Sequence, residues 1–67
     1  MALAIDKYLT TDEVAERLRI SRMRVIQLID LRELPAMRVG RLYRIREADL
    51  LEFINRNMTV RPDGPEN

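Results

Sequence analysis

Residues 9–29 read Leu9-Thr10-Thr11-Asp12-Glu13-Val14-Ala15-Glu16-Arg17-Leu18-Arg19-Ile20-Ser21-Arg22-Met23-Arg24-Val25-Ile26-Gln27-Leu28-Ile29 and contain two helix starts in quick succession. Thr10 and Glu13 have the spacing of a capping box, in which hydroxyl and carboxylate each satisfy a free amide of the first turn. Leu9 and Val14 occupy the staple positions on either side, and Val14, Ala15 and Leu18 mark one face of a helix of roughly two turns. Ser21 can cap a second helix, with Ile20 and Val25 as its staple pair. Val25, Leu28 and Ile29 form the inward stripe of that helix, and its other faces carry Arg22, Met23, Arg24, Gln27 and Asp30. Two short helices about three residues apart cannot lie antiparallel and must cross steeply, which is a helix-turn-helix.

Working outward, Pro35 ends the helical region by blocking the helical conformation at Leu34 and removing a donor. Two short segments follow, Met37–Val39 and Tyr43–Arg46, on either side of Gly40-Arg41, where glycine supplies the positive φ of a tight hairpin. A two-residue loop pairs Val39 with Leu42 and puts Arg38 beside Tyr43. A longer loop or bulge pairs Val39 with Tyr43 and gathers Met37, Val39, Tyr43 and Ile45 on one face, with Arg38, Arg44 and Arg46 on the other. Because burial of one face selects register, the second pairing is the expected one. A last helix spans about Glu47 to Asn55, with acids in its first turn and Leu50, Phe53 and Ile54 as its buried stripe. The expected fold is mainly α with a small β-hairpin, a winged helix-turn-helix in the order α-α-β-β-α. The domain is expected over residues 8–57, between an N-terminal arm (1–7) and a polar, proline-rich tail (58–67) expected to be mobile.

A chain of 67 residues makes one domain with a thin core. It has neither cysteine nor histidine, which removes disulfides, the usual zinc ligand sets and the commonest general base. No cofactor or metal is expected, and no pair of carboxylates points to a catalytic pocket. No apolar run approaches a membrane span and the first residues lack a signal-peptide pattern, so the expected location is the bacterial cytoplasm, at the nucleoid.

The formal charge of +1 hides a strong segregation. Between Arg17 and Arg46 nine arginines face two acids, a local charge of +7, and the rest of the chain carries −6. Eleven of the twelve basic residues are arginine, the type suited to forked contacts with phosphate and guanine. This pattern suggests one polyanion-binding face backed by an acidic one.

The second helix is of a kind that fits a DNA major groove. Arg22, Arg24 and Gln27 lie on its outward side, where arginine can fork onto guanine and glutamine onto adenine. Ser21 and the amides at the helix start can hold a phosphate. The hairpin then acts as a wing, with Arg41 at its tip and Arg38, Arg44 and Arg46 along its shaft. Each residue has an ordinary alternative: Arg22, Arg24 and Gln27 as solvated helix residues, Met23 packed locally, Tyr43 in the core, and Arg46 neutralising Glu47 or Asp49. The weight lies in the coincidence of helix spacing, basic hairpin and charge segregation.

With those residues in place, the chain resembles the excisionase-type, MerR-related winged-helix domains. The resemblance runs over residues 8–54 and rests on Tyr8-Leu9-Thr10-Thr11, Ala15, Ile20-Ser21-Arg22, Val25, Leu28-Ile29, Glu33-Leu34-Pro35-Ala36, Arg38-Val39-Gly40, Tyr43-Arg44-Ile45 and Asp49-Leu50. It implies major-groove contacts from Ser21, Arg22, Arg24 and Gln27, and wing contacts from Arg38, Arg41 and Arg44. Arg19 and Arg46 are further candidates for DNA contact. The family includes phage excisionases, recombination directionality factors that bend attachment-site DNA and help a tyrosine integrase excise a prophage. It also includes small transcriptional regulators. The chain departs from the pattern at Arg19 and Arg32, where glycine is common. A reshaped turn with a solvated arginine is the simpler expectation there, since positive φ at arginine costs on the order of 1 kcal/mol.

The implied partners are double-stranded DNA, a tyrosine integrase, and further copies of the chain side by side, because one helix and one wing make a small footprint. A promoter-binding regulator is the nearest alternative. An adaptor whose basic face meets an acidic protein is a more distant one, and it predicts weak DNA affinity with little salt dependence.

Overall fold

In the computed structural model, residues 7–59 are described, and both helix starts form as their spacing predicts. Helix α1 (Thr11–Leu18) opens with a complete capping box. The Glu13 amide donates to Thr10 Oγ1 (3.0 Å) and the Thr10 amide donates to Glu13 Oε1 (2.9 Å). Helix α2 (Arg22–Asp30) opens on Ser21, whose Oγ accepts from the Arg24 amide (3.1 Å).

Both helices also end alike. The Ile20 amide donates to Ala15 O (3.0 Å) and the Arg19 amide to Glu16 O (3.3 Å). After α2 the Glu33 amide donates to Leu28 O (2.9 Å) and the Arg32 amide to Ile29 O (3.0 Å). This paired bonding is a Schellman motif, which needs a left-handed residue just past the helix. Arg19 (φ 59°) and Arg32 (φ 63°) fill that position. The turns are therefore not reshaped. They keep the conformation glycine would favour, because it returns Ile20 and Leu34 to the core, and each arginine bears a cost of about 1 kcal/mol.

A three-stranded antiparallel sheet follows, in the order β1-β3-β2, from β1 (Tyr8–Leu9), β2 (Met37–Val39) and β3 (Leu42–Arg46). The two residues of β1 extend the expected hairpin, pairing Tyr8 with Arg46 and Leu9 with Ile45. The hairpin register differs from the expected one: Val39 pairs with Leu42, Arg38 with Tyr43 and Met37 with Arg44. Burial does not select the register, because Met37 and Val39 are about half exposed and β2 buries no residue at all. Turn geometry selects it instead. Gly40 has φ 62°, and positive φ at the first loop residue suits a two-residue loop. Arg38 thus shares a face with Tyr43 and Ile45, while Met37, Val39, Leu42 and Arg44 share the other.

Helix α3 (Glu47–Arg56) leaves β3 without a linker, and the Glu47 amide donates to Lys7 O (2.8 Å). Leu9, Val14, Ala15, Val25, Leu34, Ile45 and Leu50 form the buried core. Leu18, Leu28, Ile29, Tyr43, Phe53 and Ile54 pack around it, partly buried. Residues 1–6 of the expected arm and 60–67 of the expected tail lie outside the described residues. Among those described, no helix is long and apolar enough to cross a membrane.

Candidate nucleic-acid interface

The three helices differ at their first turns. Acids occupy the first turn of α1 (Asp12, Glu13) and of α3 (Glu47, Asp49), but α2 has none. Its first turn holds Arg22 and Arg24, cations placed at the positive end of a helix dipole, where carboxylates are the stabilising choice. Among the described residues that arrangement is offset only by Asp12 of α1, whose Oδ1 lies 3.7 Å from Arg22 Nε.

Spacing of three and four residues divides α2 into flanks. Arg22 and Ile26 turn toward the wing and line a cleft of about 230 Å³ with Thr10, Asp12, Arg41 and Arg44. Farther along, Ile29, Asp30 and Arg32 line a neighbouring hollow with Arg38, and Tyr43 borders both. Two arginine sets therefore flank Tyr43, Arg22 with Arg41 and Arg44 in the cleft and Arg32 with Arg38 in the hollow, with Arg38 and Arg44 on opposite faces of the hairpin. Arg24 and Gln27 lie on the exposed side of α2, and Arg24 Nη1 donates to Gln27 Oε1 (3.3 Å). The two first-turn arginines are thus split: Arg22 faces the wing, and Arg24 faces outward beside Gln27.

Several of these side chains are held in place. Arg38 Cζ lies 5.5 Å from the centre of the Tyr43 ring, and its Nε donates to Gly40 O (3.2 Å). Arg44 Nη1 donates to Tyr43 O (2.9 Å). Ser21 Oγ is engaged by the cap of its own helix. Arg22 Nε approaches Asp12 Oδ1 at 3.7 Å, with both side chains largely exposed. A pair this open contributes no more than about 1 kcal/mol, so it guides the guanidinium without locking it. Asp12, Thr10 and Arg32 were not among the expected site residues. Their share in the groove follows from how α1 and the α2–β2 loop pack, and spacing along the chain does not reveal it.

Other arginines serve as struts. Arg46 forks onto Asp49 through two bonds of 2.9 and 3.0 Å, the alternative its neighbours offered in the sequence. Arg56 Nη2 donates to Glu33 O (2.9 Å), tying α3 to the loop after α2. Arg17 Nη1 donates to Glu47 Oε2 (2.8 Å), and this bond holds the Glu47 carboxyl below its ordinary range. The positive charge of the central segment is consequently divided: part braces the fold, and the rest lines α2 and the wing.

Residues 8–58 match the family described as helix-turn-helix domain. Two Mycobacterium tuberculosis proteins, from strains CDC 1551 / Oshkosh and H37Rv, are each 47% identical to the chain over 47 residues. Both are named as proposed DNA-binding proteins. The match covers 66% of this chain and 60% of each relative, so the chain spans less than two thirds of the relatives' length. No solved structure matches at comparable significance.

Proposed function

The chain belongs to the helix-turn-helix domain family, and from that premise we propose that it binds duplex DNA in a sequence-specific way and acts as an excisionase. In this reading α2 enters the major groove with Arg22, Arg24 and Gln27 toward base edges, and Ser21 with the first amides of α2 toward a phosphate. Arg38, Arg41 and Arg44 of the wing meet the adjacent backbone or minor groove. The protein has no catalytic role. It bends attachment-site DNA and directs a tyrosine integrase toward excision, working at the nucleoid. The observation that carries DNA binding is the arginine-lined groove between α2 and the wing, next to a helix start that lacks any acid. The excisionase role rests on the resemblance over residues 8–54.

A single module of this kind buries about 600–1,000 Å² on DNA, so firm binding calls for neighbouring copies or a partner protein. The test is a gel shift and footprint on DNA from the chain's own genomic neighbourhood, with and without the nearest integrase. Protection of attachment-site arms, strengthened by integrase, is the expected result. Protection confined to promoter DNA would replace the excisionase reading with that of a transcriptional regulator.

A further inference from the structure

We propose that Arg19 and Arg32 are a pair of backbone clamps that grip DNA phosphates at the two ends of α2, held in left-handed helix caps at the expense of stability. The proposal rests on the DNA-binding reading above and assigns these two residues a ligand, the phosphodiester backbone.

Three observations meet here. First, Arg19 (φ 59°) and Arg32 (φ 63°) are the only non-glycine residues at positive φ among those described. Both fill the left-handed position of a Schellman motif, which glycine takes without strain. One such arginine is an accident of sequence; two, bracketing the same helix, are a pattern. Strain of this kind persists where the side chain has a use. Secondly, neither guanidinium has a hydrogen bond or ion pair among the described residues, whereas Arg17, Arg24, Arg38, Arg44, Arg46 and Arg56 all do. The strain is therefore not repaid by an internal contact. Both residues are also exposed.

Thirdly, their placement suits the duplex. Arg19 stands two residues before the Ser21 cap and Arg32 two residues after α2 ends. The major groove, about 12 Å wide, accepts a helix by its diameter of about 10–12 Å, so a seated α2 lies between the two phosphate walls with Arg19 and Arg32 beyond its ends. Long, exposed arginine side chains at those positions can reach the phosphates bordering the stretch of groove that α2 fills. Arg32 also lines the hollow that Arg38 shares, on the wing side of the helix.

The test compares wild type with Arg19→Gly, Arg32→Gly and the double variant, binding a random-sequence 20-base-pair duplex across a salt series, alongside thermal melting. Each glycine variant should melt higher, by about 4–8 °C for a domain of this size if the full strain is released. Each should also bind several-fold more weakly, with a salt slope reduced by about 0.9 per lost phosphate contact. Arg19→Lys and Arg32→Lys should keep most of the slope. Arg41→Ala serves as a reference, losing slope with no gain in melting temperature. Glycine variants that melt higher yet bind with unchanged slope, while Arg41→Ala loses slope, would overturn the clamp and leave the DNA reading intact. Glycine variants that melt lower would remove the strain premise and the proposal with it. A wild-type chain that binds no duplex would overturn both.

Discussion

Helices α1 and α2 are built to one plan and differ in one respect. Each starts on a hydroxyl cap three residues before the amide it accepts from, and each ends in a left-handed arginine. At the third helical position, however, α1 has Glu13, which closes its capping box, and α2 has Arg24, which cannot. The first helix satisfies its own amides and dipole. The second caps the Arg24 amide with Ser21 but puts no acid against its dipole, and places Arg22 and Arg24 there instead. The contrast is that α1 closes its start with an acid of its own, whereas α2 has cations there, the arrangement that the proposed contact with a phosphate would offset.

Exchanging that one feature should have the largest effect. Arg24→Glu gives α2 the box that α1 has. Its melting temperature should rise, with a gain of about 0.3–1 kcal/mol from the acid at the helix start. Its affinity for a specific duplex should fall by more than the roughly 1–3 kcal/mol that Arg24→Ala costs, as read by fluorescence anisotropy. Retained affinity would remove Arg24 from the interface. The reverse exchange acts on stability alone. Glu13→Ala, which opens the capping box at a residue that lines no part of the groove, should destabilise the domain by about 0.3–1 kcal/mol in urea unfolding, while the folded fraction binds DNA as before.

Arg41→Ala, at the wing tip, should weaken binding to every sequence about equally and flatten the salt slope by about one unit. A slope equal to that of wild type would show that the tip touches no phosphate. The smallest effect concerns the struts. The bond from Arg17 lowers the pKa of Glu47 in the folded state, so its contribution is present above the ordinary glutamate value of 4.5 and is lost as pH falls through the lowered value. In Arg17→Ala the NMR titration midpoint of Glu47 should rise, and the stability gap from wild type should close in acid. A midpoint that stays put would mean that Arg17 does not set it.

What the sequence disclosed was local. The box at Thr10 and Glu13, the cap at Ser21 and the stripe at Val14, Ala15 and Val25 depend on neighbours within four residues, so spacing alone reveals them. The strand at Tyr8–Leu9 depends on a partner almost forty positions away, and nothing in two residues announces it. In the hairpin, the apolar Met37 and Val39 suggest a buried face and with it a register that does not form. Gly40 and a two-residue loop instead left both exposed and brought Arg38 over Tyr43. For the site, arginine at the start of α2 and along the wing was legible as charge. The division of that charge into struts and groove was not, because it requires the carboxylates of Asp12, Glu47 and Asp49 to be placed in space. Arg19 and Arg32 read as departures from a glycine pattern, and only the backbone shows that the turns kept their left-handed form.

In the proposed reading DNA lies along α2 and the wing and not elsewhere on the domain. The most direct measurement is a backbone-amide NMR titration with a short duplex. Shifts concentrated over Ser21–Gln27 and Arg38–Arg44, with α3 from Asp49 onward unmoved, are the predicted result. Shifts concentrated on α3 or the exposed side of α1, with α2 silent, would contradict it.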